Sequence, residues 1–293
     1  MRRVSGSKGR LVIVGTPIGN LDDFSPRALA ALRGANAIFC EDTRVTGKLA
    51  ARFGLPAPRV SVPPPRESSR AAELLRRLEA GETVALVSDA GMPGLSDPGA
   101  LLVEEAGRAG FPVEVVPGPS ATAAALAVSG IPAVPHLFLG FLPSRAGERG
   151  RLLDTLRERP ETLVWFEAPH RLVESLEDAA RRLGPRRACV ARELTKLHEE
   201  TLRGELPELA RAFRERGAAR GEITVVVEGR TERPDRMSGE ELDALILRSL
   251  GGGKPRRALA REIAAATGHP AREIYSRSLE LEGTGKPGRG RRG

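Results

Sequence analysis

Three times in its first 130 residues this chain leaves a short apolar run through a Gly/Pro loop and enters a helical pattern. Leu11 to Thr16 leads into a loop holding Gly15, Pro17 and Gly19; Thr83 to Val87 leads into the stretch Ser88 to Gly99; Val113 to Val116 leads into Pro117-Gly118-Pro119-Ser120. Strand, loop and helix make half of a βαβ unit, and in open α/β sheets ligands sit on the loops at the carboxyl ends of strands. Three such loops on one sheet edge would frame a single crevice. In the middle loop Gly91 and Gly94 allow positive φ or close approach of the backbone to a ligand. Asp89 stands where that strand ends, so its carboxylate either caps a tight turn or reaches a hydroxyl, amine or cation. The loops match neither the dinucleotide G-x-G-x-x-G pattern nor the G-x-x-x-x-G-K-[ST] phosphate loop.

Around these joints the coarse pattern is α/β. Ser25 and Pro26 read as an N-cap and first helical residue. Ala37 to Cys40 is a short strand ending in Glu41-Asp42-Thr43-Arg44, whose carboxylates either serve acid–base work or cap the helix Thr46 to Phe53. Pro56 to Pro65 reads as an extended, exposed connection, and Ser69 to Ala80 as an amphipathic helix. The chain turns at Gly130 to Pro135, where a domain boundary is expected. A second αβ run follows, with strands at 136–141, 162–166, 187–191, 199–203 and 223–227, and its hairpin-like spacing suggests a mixed sheet. Trp165-Phe166-Glu167-Ala168 closes one strand and offers either an aromatic face to a flat ligand or core packing. Beyond a polar linker at 231–238, three short helical patterns (239–250, 256–267, 270–281) surround a Thr267-Gly268-His269-Pro270 turn that resembles a helix-turn-helix joint. The expected organisation is a basic end (1–10), an N-terminal α/β domain (11–130), a second α/β domain (131–230), a small helical domain (239–282) and a basic tail (283–293).

At 293 residues with 40% hydrophobic content the chain supports about two domains with sizeable cores. No apolar run approaches the roughly 20 residues of a membrane span, and the basic N-terminus lacks the apolar stretch of a secretory signal, so a cytoplasmic protein with no membrane partner is expected. Cys40 and Cys189 fit no disulfide or metal spacing, and His136, His170, His198 and His269 show no ligand pattern; no metal site is expected. The net charge of +8 is confined to the ends. Residues 1–10 and 283–293 each carry four Lys or Arg and no acid, so the body between them is formally neutral. Such Gly-rich basic ends are expected to be disordered and to be drawn to phosphate backbones.

Read in order, VGTPIGNLDDFSPRAL, CEDTR, LVSDAGMPGLSDPG, PGPSA, GFLP, FEAPHR, RELTK and GEITVVVEG resemble the small-subunit ribosomal RNA cytidine 2′-O-methyltransferases. That family belongs to the tetrapyrrole-methylase-like class (class III) of S-adenosylmethionine enzymes. The resemblance covers Arg10 to Leu281. It implies two α/β domains of the tetrapyrrole methylase type with a small C-terminal helical module, S-adenosylmethionine in the cleft between the domains, a homodimer, and a ribose in the decoding region of 16S rRNA, free or in the small ribosomal subunit, as target. Carried over by motif, Thr16, Pro17, Asp89, Met92, Ser120, Ala121, Phe166 and Ala168 would border the cofactor, with Ala191, Glu222, Ile223 and Thr224 closing the pocket. One departure stands out: where the family usually carries a His/Asn-containing segment, this chain reads Ser61-Val62-Pro63-Pro64-Pro65-Arg66-Glu67.

The implied reaction is an in-line displacement that depends on aligning oxygen and methyl. A ribose hydroxyl is a poor acid, so a base contributes; Glu41 and Glu193 are the candidates. Arg44, Arg192 and Lys196 are the candidate RNA contacts. Two rival readings are a tetrapyrrole (porphyrinogen) C-methyltransferase of the same fold and a non-enzymatic RNA-binding assembly factor.

Overall fold

The computed structural model describes residues 9–63, 67–94, 97–217, 219–231, 239–250, 254–267 and 269–284. Residues 1–8, 64–66, 95–96, 218, 232–238, 251–253, 268 and 285–293 therefore lie outside the described residues; of the ends expected to be disordered, Arg10 instead opens the first strand and pairs with Glu114, and Gly283 and Thr284 close the last helix. The chain divides into two compact units, Met1–Arg230 and Thr231–Gly293.

The first unit contains two five-stranded sheets. In the first sheet β1 (Arg10–Val14), β2 (Ala37–Cys40), β3 (Arg59–Ser61), β4 (Thr83–Leu86) and β5 (Val113–Val116) are all parallel, in the order β3-β2-β4-β1-β5. Parallel strands are buried on both faces, and the side chains divide accordingly. Leu11, Ala37, Phe39, Val84 and Leu86 pack on α3 (Glu67–Glu79) and α4 (Ala100–Arg108). Their neighbours Val12, Val14, Ile38, Cys40 and Ala85 pack on α1 (Pro26–Arg33) and α2 (Thr43–Phe53). The helices start where short polar side chains satisfy the first free N–H groups. Ser25 Oγ accepts from Ala28 N, with Pro26 at the first helical position, and Asp42 Oδ1 accepts from Arg44 N at 2.8 Å.

The stretch expected to be an exposed proline-rich connection contains β3, and Ala57 and Val62 in it are buried. Prolines on both sides had masked a three-residue strand that pairs only with β2, an edge position where they are tolerated.

The second sheet is mixed, in the order β6-β7-β10-β8-β9: β6 (His136–Phe141) is parallel to β7 (Thr162–Glu167), while β10 (Ile223–Val227) is antiparallel to both β7 and β8 (Arg187–Arg192), and β9 (Glu200–Glu205) pairs antiparallel with β8. One face carries Trp165, Val190 and Val225 against α6 (Ala146–Thr155), α7 (Leu172–Leu183) and α8 (Leu206–Arg216). The other face carries Val164, Cys189, Ala191 and Val226 against Ala125 and Leu126 of α5 (Ala121–Ser129), the helix that follows β5, and against Ile18 of the first loop. A helix launched from the first sheet thus covers the second, and the two sheets share this core within one unit.

The second unit is three helices, α9 (Gly239–Leu250), α10 (Arg256–Thr267) and α11 (Ala271–Thr284), around Leu242, Ile246, Leu259, Ile263 and Ile274. Arg277 pairs with Asp243 to tie α11 to α9.

Candidate active site

The three Gly/Pro loops leave β4, β1 and β5, which are neighbours in the first sheet, so they lie side by side at its carboxyl edge. They touch through backbone. Thr16 N donates to Gly91 O at 2.9 Å, and Thr16 Oγ1 lies 3.3 Å from Ser88 O. Gly15 and Gly118 meet so closely that a Cβ on Gly15 would stand 2.6 Å from Gly118 Cα and 2.7 Å from Met92 Sδ. Only glycine permits that approach.

Above these loops lies a cleft of about 400 Å³, closed on its far side by the carboxyl end of β7, the end of β8 and the start of β10. Asp89, Met92, Ser120, Ala121, Phe166, Ala168, Ala191, Glu222, Ile223 and Thr224 border it. Those are ten of the twelve residues the sequence assigned to the cofactor; Thr16 and Pro17 border a second cavity instead. Alternation along β7 sends Trp165 into the core and Phe166 to the cleft.

Asp97, Glu167 and Phe141 also border the cleft, beyond the residues expected from the sequence. Asp97 shares the central Gly/Pro loop with Asp89, a signal that was available. Glu167 was hidden by its position next to the aromatic pair. Its side chain is fully buried; Oε1 accepts from Ala168 N at 2.9 Å, while Oε2 has no partner among the described residues.

Three carboxylates (Asp89, Asp97, Glu222) and no Lys or Arg therefore border this cleft, while Glu167 alternates to the Trp165 face, where its buried carboxylate lies 3.5 Å from Arg171 Nε. Burial raises the Asp89 and Asp97 carboxyls above their ordinary values, and each feels other carboxylates nearby. A cationic ligand with an aromatic-compatible portion suits such a wall, because it would relieve the crowding of acids.

The second cavity, about 270 Å³, adjoins the first and shares Ile18, Asp89, Ala90 and Glu222 with it. Its remaining wall is different in kind: Thr16, Pro17, Leu21, Val45, Thr46, Lys48, Leu49 and Lys196.

Glu41 and Glu193 are not among the residues that border either cavity. Glu41 is raised by burial and by Asp89, Asp97 and Asp42. Glu193 is committed elsewhere: its Oε1 accepts from Lys196 Nζ at 2.8 Å and from Glu222 N at 2.9 Å. The Lys196 ammonium holds its carboxyl below the ordinary range. Glu193 and Thr195 both have positive φ, 53° and 66°, rare for a long and a β-branched side chain. Thr195 Oγ1 accepts from Asn20 N at 3.0 Å, so this turn clamps the first loop.

The three candidate RNA contacts already hold partners. Arg44 pairs with Asp42 at 2.6 Å, and this guanidinium holds the Asp42 carboxyl down to about 2. Arg192 binds Glu200 and the Arg220 carbonyl, and Lys196 binds Glu193 and Glu222. Among the described residues no group of three or more His, Cys, Asp and Glu is arranged to hold a metal.

Comparison with known proteins decides the family. Residues 10–210 match the Tetrapyrrole (Corrin/Porphyrin) Methylases. Proteins called ribosomal RNA small subunit methyltransferase I are 42% identical over 94% of this chain and 100% of theirs in Synechocystis sp., and 47% identical over 76% and 99% in Thermotoga maritima. The chain belongs to the tetrapyrrole methylase family, in its ribosomal RNA small subunit methyltransferase I branch. Its two-sheet unit has the fold of that family: the uroporphyrin-III C-methyl transferase of Thermus thermophilus, solved with S-adenosyl homocysteine, aligns with a TM-score of 0.51 over 75% of this chain and 96% of that one, at 23% identity. In this tetrapyrrole methylase the carboxylate-walled cleft is thus formed by segments of both sheets, from the loops after β1, β4 and β5 on one side and strands β7, β8 and β10 on the other.

Proposed function

We propose that the protein is an S-adenosylmethionine-dependent methyltransferase that methylates the ribose 2′-hydroxyl of a cytidine in the decoding region of 16S rRNA. The observation that carries the reading is the cleft bordered by Asp89, Asp97 and Glu222 with no Lys or Arg, on a chain whose close relatives across nearly its full length bear the rRNA methyltransferase name. The residues fit the cofactor on two counts. Its sulfonium and ammonium are cations for the acidic wall, and Phe141 and Phe166 pack edge to face at 5.7 Å beside an apolar surface for its adenine. Asp89, Met92, Ser120, Ala121, Phe166, Ala168, Ala191 and Glu222 to Thr224 would hold it. When bound, S-adenosylmethionine supplies an electrophilic methyl: the acceptor oxygen forms the new C–O bond as the S–C bond breaks, its electron pair stays on sulfur, and the hydroxyl proton passes to a base.

The chain's own part is to align and to exclude water. The backbone-to-backbone contact of the β1 and β5 loops fixes the floor, and the Glu193–Lys196 turn fixes the side. Holding the reacting atoms about 3–3.5 Å apart supplies much of the rate. The same reading takes the protein to be cytoplasmic and homodimeric. The edge strand β5 leaves Val113 and Val115 exposed, a surface that a second copy would cover.

The test is to offer labelled S-adenosylmethionine with either small-subunit particles from cells lacking the gene or a porphyrinogen. Label in one ribose-methylated cytidine of 16S rRNA is expected. Label in the porphyrinogen instead assigns the protein to tetrapyrroles, and a failure to bind S-adenosylmethionine in calorimetry leaves only an assembly factor.

A further inference from the structure

We infer that the second cavity is the acceptor subsite, taking one nucleotide of the RNA, with Lys48 on its phosphate and Asp89 receiving the hydroxyl proton. The inference rests on the methyl-transfer reading and locates its second substrate.

Contiguity is the first argument. An acceptor must touch the donor, and the second cavity shares Ile18, Asp89, Ala90 and Glu222 with the first. Charge is the second. The first cleft has acids and no Lys or Arg, which suits a cation; the second has Lys48 and Lys196, which suit a phosphodiester. Lys196 is already neutralised by Glu193 and Glu222. Lys48 is exposed on α2 and has no acidic partner among the described residues, so its charge is available. Shape is the third. Leu21 and Val45, 42% and 40% exposed, stand on the cavity wall where an unstacked base needs apolar surface.

Asp89 lies on the wall common to both spaces. Its Oδ1 accepts from Asp42 N at 3.2 Å, which fixes the carboxylate, and the other oxygen makes no hydrogen bond among the described residues. The charged groups acting on it are Asp42, Arg44, Asp97 and Glu41, with Lys48, Lys196 and Glu222 on the cavity walls. The carboxylate form takes the proton as the C–O bond forms, so the rate follows ionisation of Asp89.

Three variants test this. Lys48→Glu is expected to weaken binding of undermethylated small-subunit particles about tenfold or more, and Lys48→Ala to reduce the slope of log K against log salt by about one. S-adenosylhomocysteine affinity should stay at the wild-type value in both, which also shows that the fold is intact. Asp89→Asn, at saturating cofactor, is expected to slow single-turnover methylation by about 10²–10⁴-fold and to abolish the acid limb of its pH profile. Wild-type RNA affinity and salt slope in Lys48→Glu, or an unchanged acid limb in Asp89→Asn, would overturn the subsite while leaving the methyltransferase standing. Absence of any transfer to RNA by the wild-type protein would remove the underlying function, and the subsite with it.

Discussion

Gly15 and Gly118 show how much of the site depends on a missing side chain. A methyl at Gly15 meets Gly118 backbone, which cannot rotate away, as well as the movable sulfur of Met92. The β1 and β5 loops must then separate, and both border cavities. Gly15→Ala is expected to lower S-adenosylhomocysteine affinity at least tenfold, read by calorimetry, together with a lower Tm. Gly107 makes the contrast: it sits inside α4 with nothing within 4 Å of a new Cβ. There alanine only removes the backbone freedom of the unfolded chain, so Gly107→Ala should stabilise by about 0.5–1 kcal/mol in urea unfolding. At this scale the sequence was readable where motif and strand end coincide, as at Asp89 and Phe166. It was silent on Glu167, because burial and a missing partner are properties of the assembled cleft. It also could not show that Glu193 is tied to Lys196 and to a strand more than twenty-five residues away.

The elements were legible wherever hydrophobic period and capping agreed. α1 begins where Ser25 and Pro26 place it, and β4, β5 and β10 follow their apolar runs. β3 was not legible, since three residues beside prolines carry no period and gain strand geometry only from pairing with β2. The turn after β8 shows in sequence only as the RELTK run, and its role comes from long-range bonds to Glu222 and Asn20. Those bonds predict a pH effect. The folded pKa of Glu193 lies below its ordinary value, first because Lys196 donates to the carboxylate. A depressed folded pKa contributes stability above the unfolded pKa, about 4.3, and loses it as pH falls through the folded value. Glu193→Gln lacks this contribution. The urea midpoint of the wild type should therefore exceed that of Glu193→Gln at neutral pH, and the gap should close on acidification below about pH 4.3.

For the whole molecule, charge is distributed with a clear division of labour. The net +8 comes from residues 1–10 and 283–293, each with four Lys or Arg and no acid, while the body between them is formally neutral. Within that body most cations near the clefts are spent on internal acids: Arg44 on Asp42, Arg192 on Glu200, Lys196 on Glu193. A neutral body whose cleft-side cations are mostly paired offers few phosphate contacts to a long RNA. The ends can, because long-range attraction to a polyanion needs charge and no fixed geometry. Removing residues 283–293 halves the net charge without touching a cavity wall. That truncation should weaken binding to small-subunit particles at low salt and lower the salt slope by up to about four, the number of cations lost. Binding of S-adenosylhomocysteine, measured in the same buffers, should not change. The two readouts separate the long-range contribution of the basic tail to RNA capture from the selection of one ribose proposed for Lys48 and Asp89. A truncation that leaves the slope at its full value would return the phosphate contacts to the folded body, and the arginines there would have to exchange their acidic partners for RNA.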